Sequence, residues 1–135
     1  MPAARLLLVL TTAFAAVALA VPTGRALPSG NVVCGSHTYT VSQVVSAVNA
    51  GFAHVGNPLG SDSYPHTFRN DEGLSMWCSG STSFMEYPIL SGGATYTGGS
   101  PGADRVVFNT AGTYCAVITH TGASSTNGFV SCKGD

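Results

Sequence analysis

Charged side chains are scarce in this sequence: Asp, Glu, Lys and Arg together make up 8% of its 135 residues. Beyond residue 20 the chain carries four basic residues against six acidic ones, which gives a net charge of −2 with histidine neutral. A protein that binds nucleic acid tightly and without sequence preference needs a basic surface, because its affinity comes from neutralised phosphates. The composition excludes that class, so any contact with nucleic acid must be local and involve few charges.

Three other features are absent from the sequence: the cysteine spacing of a zinc site, an N-glycosylation acceptor and a second apolar run of membrane-spanning length. No two cysteines have the C-x-x-C spacing of a zinc site, which argues against a structural metal. No N-x-S/T acceptor occurs, so N-linked glycosylation is not expected. No apolar run of membrane-spanning length follows residue 20, and we expect no contact with a membrane.

The first part of the chain has the pattern of a secretory signal peptide. A lone Arg5 precedes an apolar run from Leu6 to Leu19, and Ala18-Leu19-Ala20 forms a small-residue cleavage site. We therefore expect a secreted, extracellular protein with one small domain. The predicted organisation is a signal peptide at 1–20, an irregular Pro- and Gly-containing arm at 21–33 and a single domain at 34–135.

An even number of cysteines follows the signal peptide. They are Cys34, Cys78, Cys115 and Cys132. In a short secreted chain this count predicts two disulfides. The residues alone leave all three connectivities open.

The hydrophobic pattern predicts an α+β domain. Apolar residues from Val41 to Phe52 fall at helical spacing, and Thr40 with Gln43 makes a capping box. From Leu59 onward the chain contains only short β-rich runs bounded by turn residues. One amphipathic helix should therefore pack on a multistranded antiparallel sheet. His37 precedes the helix, and we expect it at the surface.

Three β-rich runs in the last third of the chain each carry one ionisable residue within an apolar pattern: Glu86, Arg105 and His120. Alternation puts Val106 and Phe108 on one face of their strand and Arg105 on the other. We expect the helix to cover the first face and the second to remain open to solvent. A carboxylate, a guanidinium and an imidazole suit proton transfer next to a phosphate.

The segments around these residues closely resemble the small fungal guanyl-specific ribonucleases of the ribonuclease T-one, N-one and U-two type. The matching segments, in the same order, are Tyr64–Gly73, Glu86–Leu90, Gly99–Phe108 and Ala116–Ala123. The resemblance extends from Cys34 to Cys132. It implies the microbial ribonuclease fold and a secreted endoribonuclease that cleaves single-stranded RNA 3′ to guanosine without a metal or cofactor.

The resemblance also implies a mechanism and its residues. RNA would be cleaved through a 2′,3′-cyclic phosphate that is then hydrolysed to a 3′-phosphate, so DNA, which lacks the 2′-hydroxyl, should not react. Glu86 would be the general base and His120 the general acid, with His66 orienting Glu86. Arg105 and Tyr64 would stabilise charge on the phosphoryl oxygens. The implied catalytic residues are Tyr64, His66, Glu86, Arg105, His120 and Phe129.

A base-binding loop is implied by the same resemblance. Its residues would be Phe68, Arg69, Asn70, Asp71, Glu72 and Asn127. Glu72 would accept hydrogen bonds from guanine N1–H and the exocyclic amino group, which adenine cannot donate there, and Phe68 would stack on the base. Strict guanine enzymes have Asn and Tyr where this chain has Arg69 and Asp71, so the aromatic lid is missing. We expect weaker guanine binding, with discrimination relaxed toward purines.

Two structural details follow from the resemblance, in particular to ribonuclease U-two. It implies disulfides Cys34–Cys132 and Cys78–Cys115 and a cis peptide bond between Tyr64 and Pro65. Strand alternation would then place Cys115 on the face away from His120.

Two other functions compete with this interpretation. A ribotoxin-like or cytotoxic ribonuclease would share the catalytic face, but ribosome-directed relatives carry long lysine-rich loops, and Lys133 is the single lysine here. A non-catalytic RNA-binding decoy would have lost catalytic residues, whereas all six are present. We expect a monomer that acts on single-stranded RNA and not on DNA.

Overall fold

The computed structural model describes residues 27–135. The predicted signal peptide and the beginning of the arm lie outside these residues. Within the described part of the chain, no helix is long and apolar enough to cross a membrane. In chain order the elements are β1 (Val32–Cys34), β2 (His37–Tyr39), α1 (Val41–Ala53), β3 (His66–Phe68), β4 (Phe84–Pro88), β5 (Asp104–Asn109), β6 (Tyr114–Thr119) and β7 (Val130–Ser131).

The strands form two sheets. Strands β3 to β7 make a five-stranded antiparallel sheet in which each strand pairs with its neighbour in the sequence. Strands β1 and β2 form a separate antiparallel hairpin. The prediction of one helix on a multistranded antiparallel sheet is confirmed, and the domain is of the α+β class.

The predicted capping box begins helix α1. The side chain of Thr40 accepts a hydrogen bond from the Gln43 amide at 3.2 Å, and the Gln43 side chain accepts one from the Thr40 amide at 2.8 Å. The helix ends at Ala53, and the backbone N–H of His54 donates to carbonyls of the last turn. These contacts satisfy backbone groups that a helix end would otherwise leave unpaired.

The buried face of the helix approaches the sheet closely at Gly51. A Cβ at this position would lie 2.7 Å from a ring carbon of Phe108 and 2.8 Å from Cβ of Tyr87, closer than side-chain carbons pack. Val44 and Val48 complete the buried face. A glycine is therefore required in the helix interior, despite its low helix propensity, because it lets the helix axis come close to strands β4 and β5.

The main core lies between the helix and the sheet. Val106, Phe108 and Val117 face the helix and are fully buried, as alternation predicts. The opposite face of the sheet carries a second buried cluster. Its members are Phe68, Cys78, Val107, Cys115, Ala116, Ile118 and Phe129. The expectation that this face remains open to solvent is wrong, because the loops after β3 and before β7 fold over part of it.

Strand alternation fails at Cys115. The pairing of β5 with β6 shifts between Val107 and Phe108, so that Val107 pairs with Ala116 but Phe108 pairs with Tyr114. Cys115 is the extra residue of this β-bulge and packs in the second cluster. The expectation that Cys115 lies on the face away from His120 is therefore wrong, because the bulge changes which side chains share a face.

Two disulfides link the chain, Cys34 to Cys132 and Cys78 to Cys115, the pairing that the resemblance implies. The first bridge ties the β1–β2 hairpin to the end of the chain. Val33 and Lys133 support it with two backbone hydrogen bonds of 2.8 Å. The expectation of an irregular arm as far as Val33 is wrong at its end, since Val32 and Val33 belong to β1.

Candidate active site

Strand pairing brings His66 and Glu86 together. His66 begins β3 and lies directly opposite Glu86 of β4 in the register, and its Nε2 is 2.6 Å from Glu86 Oε1. The Glu86 side chain is 7% exposed, whereas that of His66 is 37% exposed. A buried carboxylate needs such a partner, because an unpaired charge at that position would be costly.

The protonation state of His66 follows from its neighbours. Its Nδ1 lies 2.9 Å from the carbonyl oxygen of Asp62, while Nε2 contacts the Glu86 carboxylate. Both neighbours are acceptors, so both ring nitrogens donate and the ring is an imidazolium. The hydrogen bond to Glu86 raises the pKa of His66, with a smaller contribution from the Asp62 carbonyl, against the opposing effects of burial and Arg105.

Arg105 is a buried cation with unused donors. It is 3% exposed, and its Nη1 donates to the carbonyls of Gly102 at 2.8 Å and Asp104 at 2.9 Å. Nη2 donates to the Tyr64 hydroxyl at 3.0 Å, and the guanidinium carbon lies 5.1 Å from the Tyr64 ring centre. Within residues 27–135 the buried Nε–H has no hydrogen-bond partner. Nε and Nη2 form one edge of the guanidinium, and on this edge the Nε–H is a buried donor that an anion would pair.

The buried side chain of Asp104 anchors the beginning of β5, next to Arg105. Its carboxylate is buried and accepts from Thr119 Oγ1 at 2.7 Å and Tyr39 OH at 2.5 Å, and it lies 2.8 Å from His37 Nδ1. Burial raises the pKa of Tyr39 well above its usual value, and the hydrogen bond and charge of Asp104 add to this effect. Sequence reasoning missed this network, although its expectation of His37 at the surface is confirmed, since the side chain is 45% exposed.

His120 and Phe129 form the other side of the site. Their rings stack with centroids 3.9 Å apart, and His120 Nδ1 lies 2.7 Å from the carbonyl oxygen of Gly128. This contact fixes the tautomer with the proton on Nδ1. In the described chain Nε2 has no partner, so it is the nitrogen available to a ligand. The His120 amide donates to the Ala103 carbonyl at 3.0 Å, which attaches it to the segment before Arg105.

A cavity of about 190 Å³ adjoins Glu86 and Phe129. It is lined by Thr67, Phe68, Arg69, Asn70, Asp71, Glu72, Glu86, Asn127 and Phe129. All six residues of the implied base-binding set therefore border one space, and Glu86 connects that space to its partner His66. Phe68 and Phe129 form its buried wall and meet edge to face, with ring centroids 5.7 Å apart.

The side chain of Asn70 is used within the loop. Its amide nitrogen donates to the Leu74 carbonyl at 2.9 Å, and its oxygen accepts from the Leu74 amide at 2.8 Å. Asn70 also adopts a left-handed backbone with φ of 54°, which asparagine tolerates better than most residues. The side chain of Asn70 thus closes the loop, and the groups of Asn70 that are available to a ligand are those of its backbone.

Fold and site together define a class of protein: a small disulfide-linked α+β domain in which neighbouring strands of one sheet, and the residues next to them, supply a carboxylate, two imidazoles and a buried guanidinium, a set suited to an anionic ester. Sequence comparison then identifies the family. The family model described as ribonuclease matches residues 27–133. The chain belongs to the ribonuclease family.

Individual relatives agree with this assignment. The chain is 50% identical over 119 residues to guanyl-specific ribonuclease C2 of Aspergillus clavatus, covering 87% of this chain and 88% of the relative. It is 48% identical over 133 residues to guanyl-specific ribonuclease T1 of Aspergillus oryzae, covering 93% and 95%. Among solved structures, ribonuclease He1 from Hericium erinaceus matches with a TM-score of 0.54 and 36% identity, covering 77% of this chain and 99% of that one.

Proposed function

We propose that this chain is a secreted endoribonuclease that cleaves single-stranded RNA on the 3′ side of guanosine. Relatives that share about half of its residues are guanyl-specific ribonucleases. The observation that carries the proposal is the Glu86–His66 pair together with the buried Arg105 guanidinium, whose Nε–H has no partner among the described residues. A fixed cation with free donors next to a base and an acid is the set that phosphodiester transesterification requires.

The three ionisable side chains take distinct roles in the reaction. Glu86 removes the proton from the 2′-hydroxyl, whose oxygen attacks the adjacent phosphorus. His120 gives a proton from Nε2 to the leaving 5′-oxygen, which produces a 2′,3′-cyclic phosphate. Water then opens this ring to a 3′-phosphate with the two roles reversed. His66, held as a cation between two acceptors, pairs with the Glu86 carboxylate and orients it.

Charge on the phosphoryl oxygens is stabilised by Arg105 and Tyr64. Donors that are already fixed and shielded from water stabilise developing charge without reorganising. Arg105 meets this condition, because backbone carbonyls hold Nη1 while the buried Nε–H has no partner among the described residues. The reaction needs no metal to generate its nucleophile, since the 2′-hydroxyl belongs to the substrate.

Guanine selectivity rests on Glu72. Three carboxylates line the cavity, and two are paired: Glu86 with His66 and Asp71 with Arg69. Among the described residues Glu72 accepts a single hydrogen bond, from the Phe129 amide at 3.3 Å, which leaves acceptor capacity for a ligand. Guanine presents N1–H and an amino group to such an acceptor, and adenine has no donors there.

Cleavage of GpC, ApC and UpC, with chelator present, tests this function. The wild type should cleave GpC fastest and ApC more slowly, and the 2′-deoxy analogue of GpC should not react. Glu86→Gln and His120→Ala should each lower kcat by about 10²–10⁴-fold, the usual contribution of one acid or base. Circular dichroism would show that both variants are folded. Absence of cleavage by correctly oxidised wild type, or full activity in either variant, would refute the proposal.

A further inference from the structure

The exposed part of the cavity lining has no aromatic side chain among the described residues. Phe68 and Phe129 are the aromatic residues of that lining, and both are buried. Arg69 and Asp71 line the same cavity with exposed side chains, so we expect a base lying on the buried wall to have its second face toward them. A planar group that covers this face would strengthen binding, because stacking contributes much of the affinity of proteins for unpaired bases.

Several of the described residues that line the cavity have planar side-chain groups, and the guanidinium of Arg69 is the one best suited to stack. The Asn70 amide is held by Leu74 in two hydrogen bonds. The Asp71 carboxylate carries a negative charge and would be repelled by the face of an aromatic ring. The Arg69 guanidinium carries a positive charge, and guanidinium planes stack on bases and aromatic rings.

The contact between Arg69 and Asp71 orients this guanidinium. Nη2 lies 3.0 Å and Nε 3.4 Å from the same oxygen of Asp71, so Asp71 engages one edge of the group and leaves both of its faces uncovered. The two side chains are 77% and 69% exposed. An ion pair this exposed is weak, which suits a cover that must move aside when the base binds.

We propose that Arg69 is the lid of the base site, stacking its guanidinium on the outer face of the bound purine, and that Asp71 is the positioning residue that turns it there. This inference rests on the proposed function and adds the residue that replaces the missing aromatic ring. Arg69 also neutralises Asp71, which would otherwise compete with Glu72 for donors of the base. The pair therefore contributes to both affinity and selectivity.

Binding of guanosine and of guanosine 3′-monophosphate to four variants, measured by calorimetry, tests the proposal. Arg69→Ala should weaken both ligands by about 5- to 20-fold, the range expected from one lost stacking contact. Arg69→Lys keeps the charge but not the plane and should not restore the affinity. Asp71→Asn should weaken binding by a smaller factor. Lys133→Ala removes one positive charge far from the cavity and should bind like the wild type.

Each other result overturns the proposal in a recognisable way. If Arg69→Ala weakens only the phosphorylated ligand, and only at low salt, Arg69 contacts the phosphate rather than the base. Full recovery in Arg69→Lys would show that charge alone matters. Wild-type affinity in Arg69→Ala would show that the base has no lid at this position. GpC cleavage by the wild type in parallel separates these failures from failure of the ribonuclease function itself.

Discussion

The buried carboxylate of Asp104 makes a strong test of the structure. It is 1% exposed and accepts from Tyr39 and Thr119 in addition to its contact with His37. Replacing it by asparagine keeps the shape of the side chain but removes its charge and one of its two acceptor oxygens. An amide has one acceptor oxygen and one donating nitrogen, so the partner that faces the nitrogen can no longer donate to this side chain.

The expected cost of Asp104→Asn can be worked from these contacts. A buried donor left unpaired costs about 1–3 kcal/mol, and a hydrogen bond to a charged acceptor exceeds a neutral one by about 1 kcal/mol. The variant loses one acceptor, and its two remaining hydrogen bonds no longer have a charged acceptor. Part of this loss is offset, because the variant does not bury a charge. We expect the free energy of unfolding to fall by about 3 kcal/mol, roughly a hundredfold in the unfolding constant.

Urea unfolding at neutral pH measures this change. With a slope of about 1–3 kcal/mol per molar urea, the midpoint should fall by roughly 1–3 M. Asp71→Asn is the matched control, because the same substitution is made at an exposed ion pair worth about 0–1 kcal/mol. If Asp104→Asn lowers the midpoint no more than Asp71→Asn does, the carboxylate does not anchor the segment before Arg105.

Two further predictions concern His66 and Gly51. Glu86→Gln should lower the pKa of His66 in an NMR titration, because the hydrogen bond to Glu86 is the main cause of its elevation; an unchanged titration would contradict this. Because the pKa of His66 is raised in the folded state, this residue contributes stability that is fully present below its unfolded pKa of about 6.5 and is lost as the pH rises through its folded pKa. The Glu86→Gln variant should lack this pH dependence. Gly51→Ala should lower the free energy of unfolding by about 1–3 kcal/mol in urea, because its Cβ would overlap the Phe108 ring, whereas Gly56→Ala, with open space around it, should not.

Local patterns predicted most of the fold. The capping box at Thr40 and the apolar spacing after it define a helix by short-range contacts alone, and the structure has both. Alternation correctly assigned Val106 and Phe108 to the helix side of the sheet. These features could be predicted because each depends on residues within a few positions of one another.

Features that depend on distant contacts could not be predicted from the residues. The β-bulge at Cys115 reverses the alternation, and nothing in the sequence of β6 marks it. The contact between His37 and Asp104 joins residues 67 positions apart. Loops that fold over the sheet bury Glu86, which the pattern of its own strand left exposed. In each case tertiary contacts, rather than local preference, decide where the side chain lies.

The register of the sheet determines the candidate site. His66 faces Glu86 because β3 pairs with β4 at that residue, and Arg105 of β5 is placed by its pairing opposite Pro88 and Ile118. A shift of one residue would turn these side chains to the other face of the sheet. The helix prevents that shift, because it would remove Val106 from the core under the helix and bury Arg105 there instead. Packing of helix α1 thus fixes the register that positions the side chains of His66, Glu86 and Arg105. The stability of the fold and the proposed catalysis therefore depend on the same register.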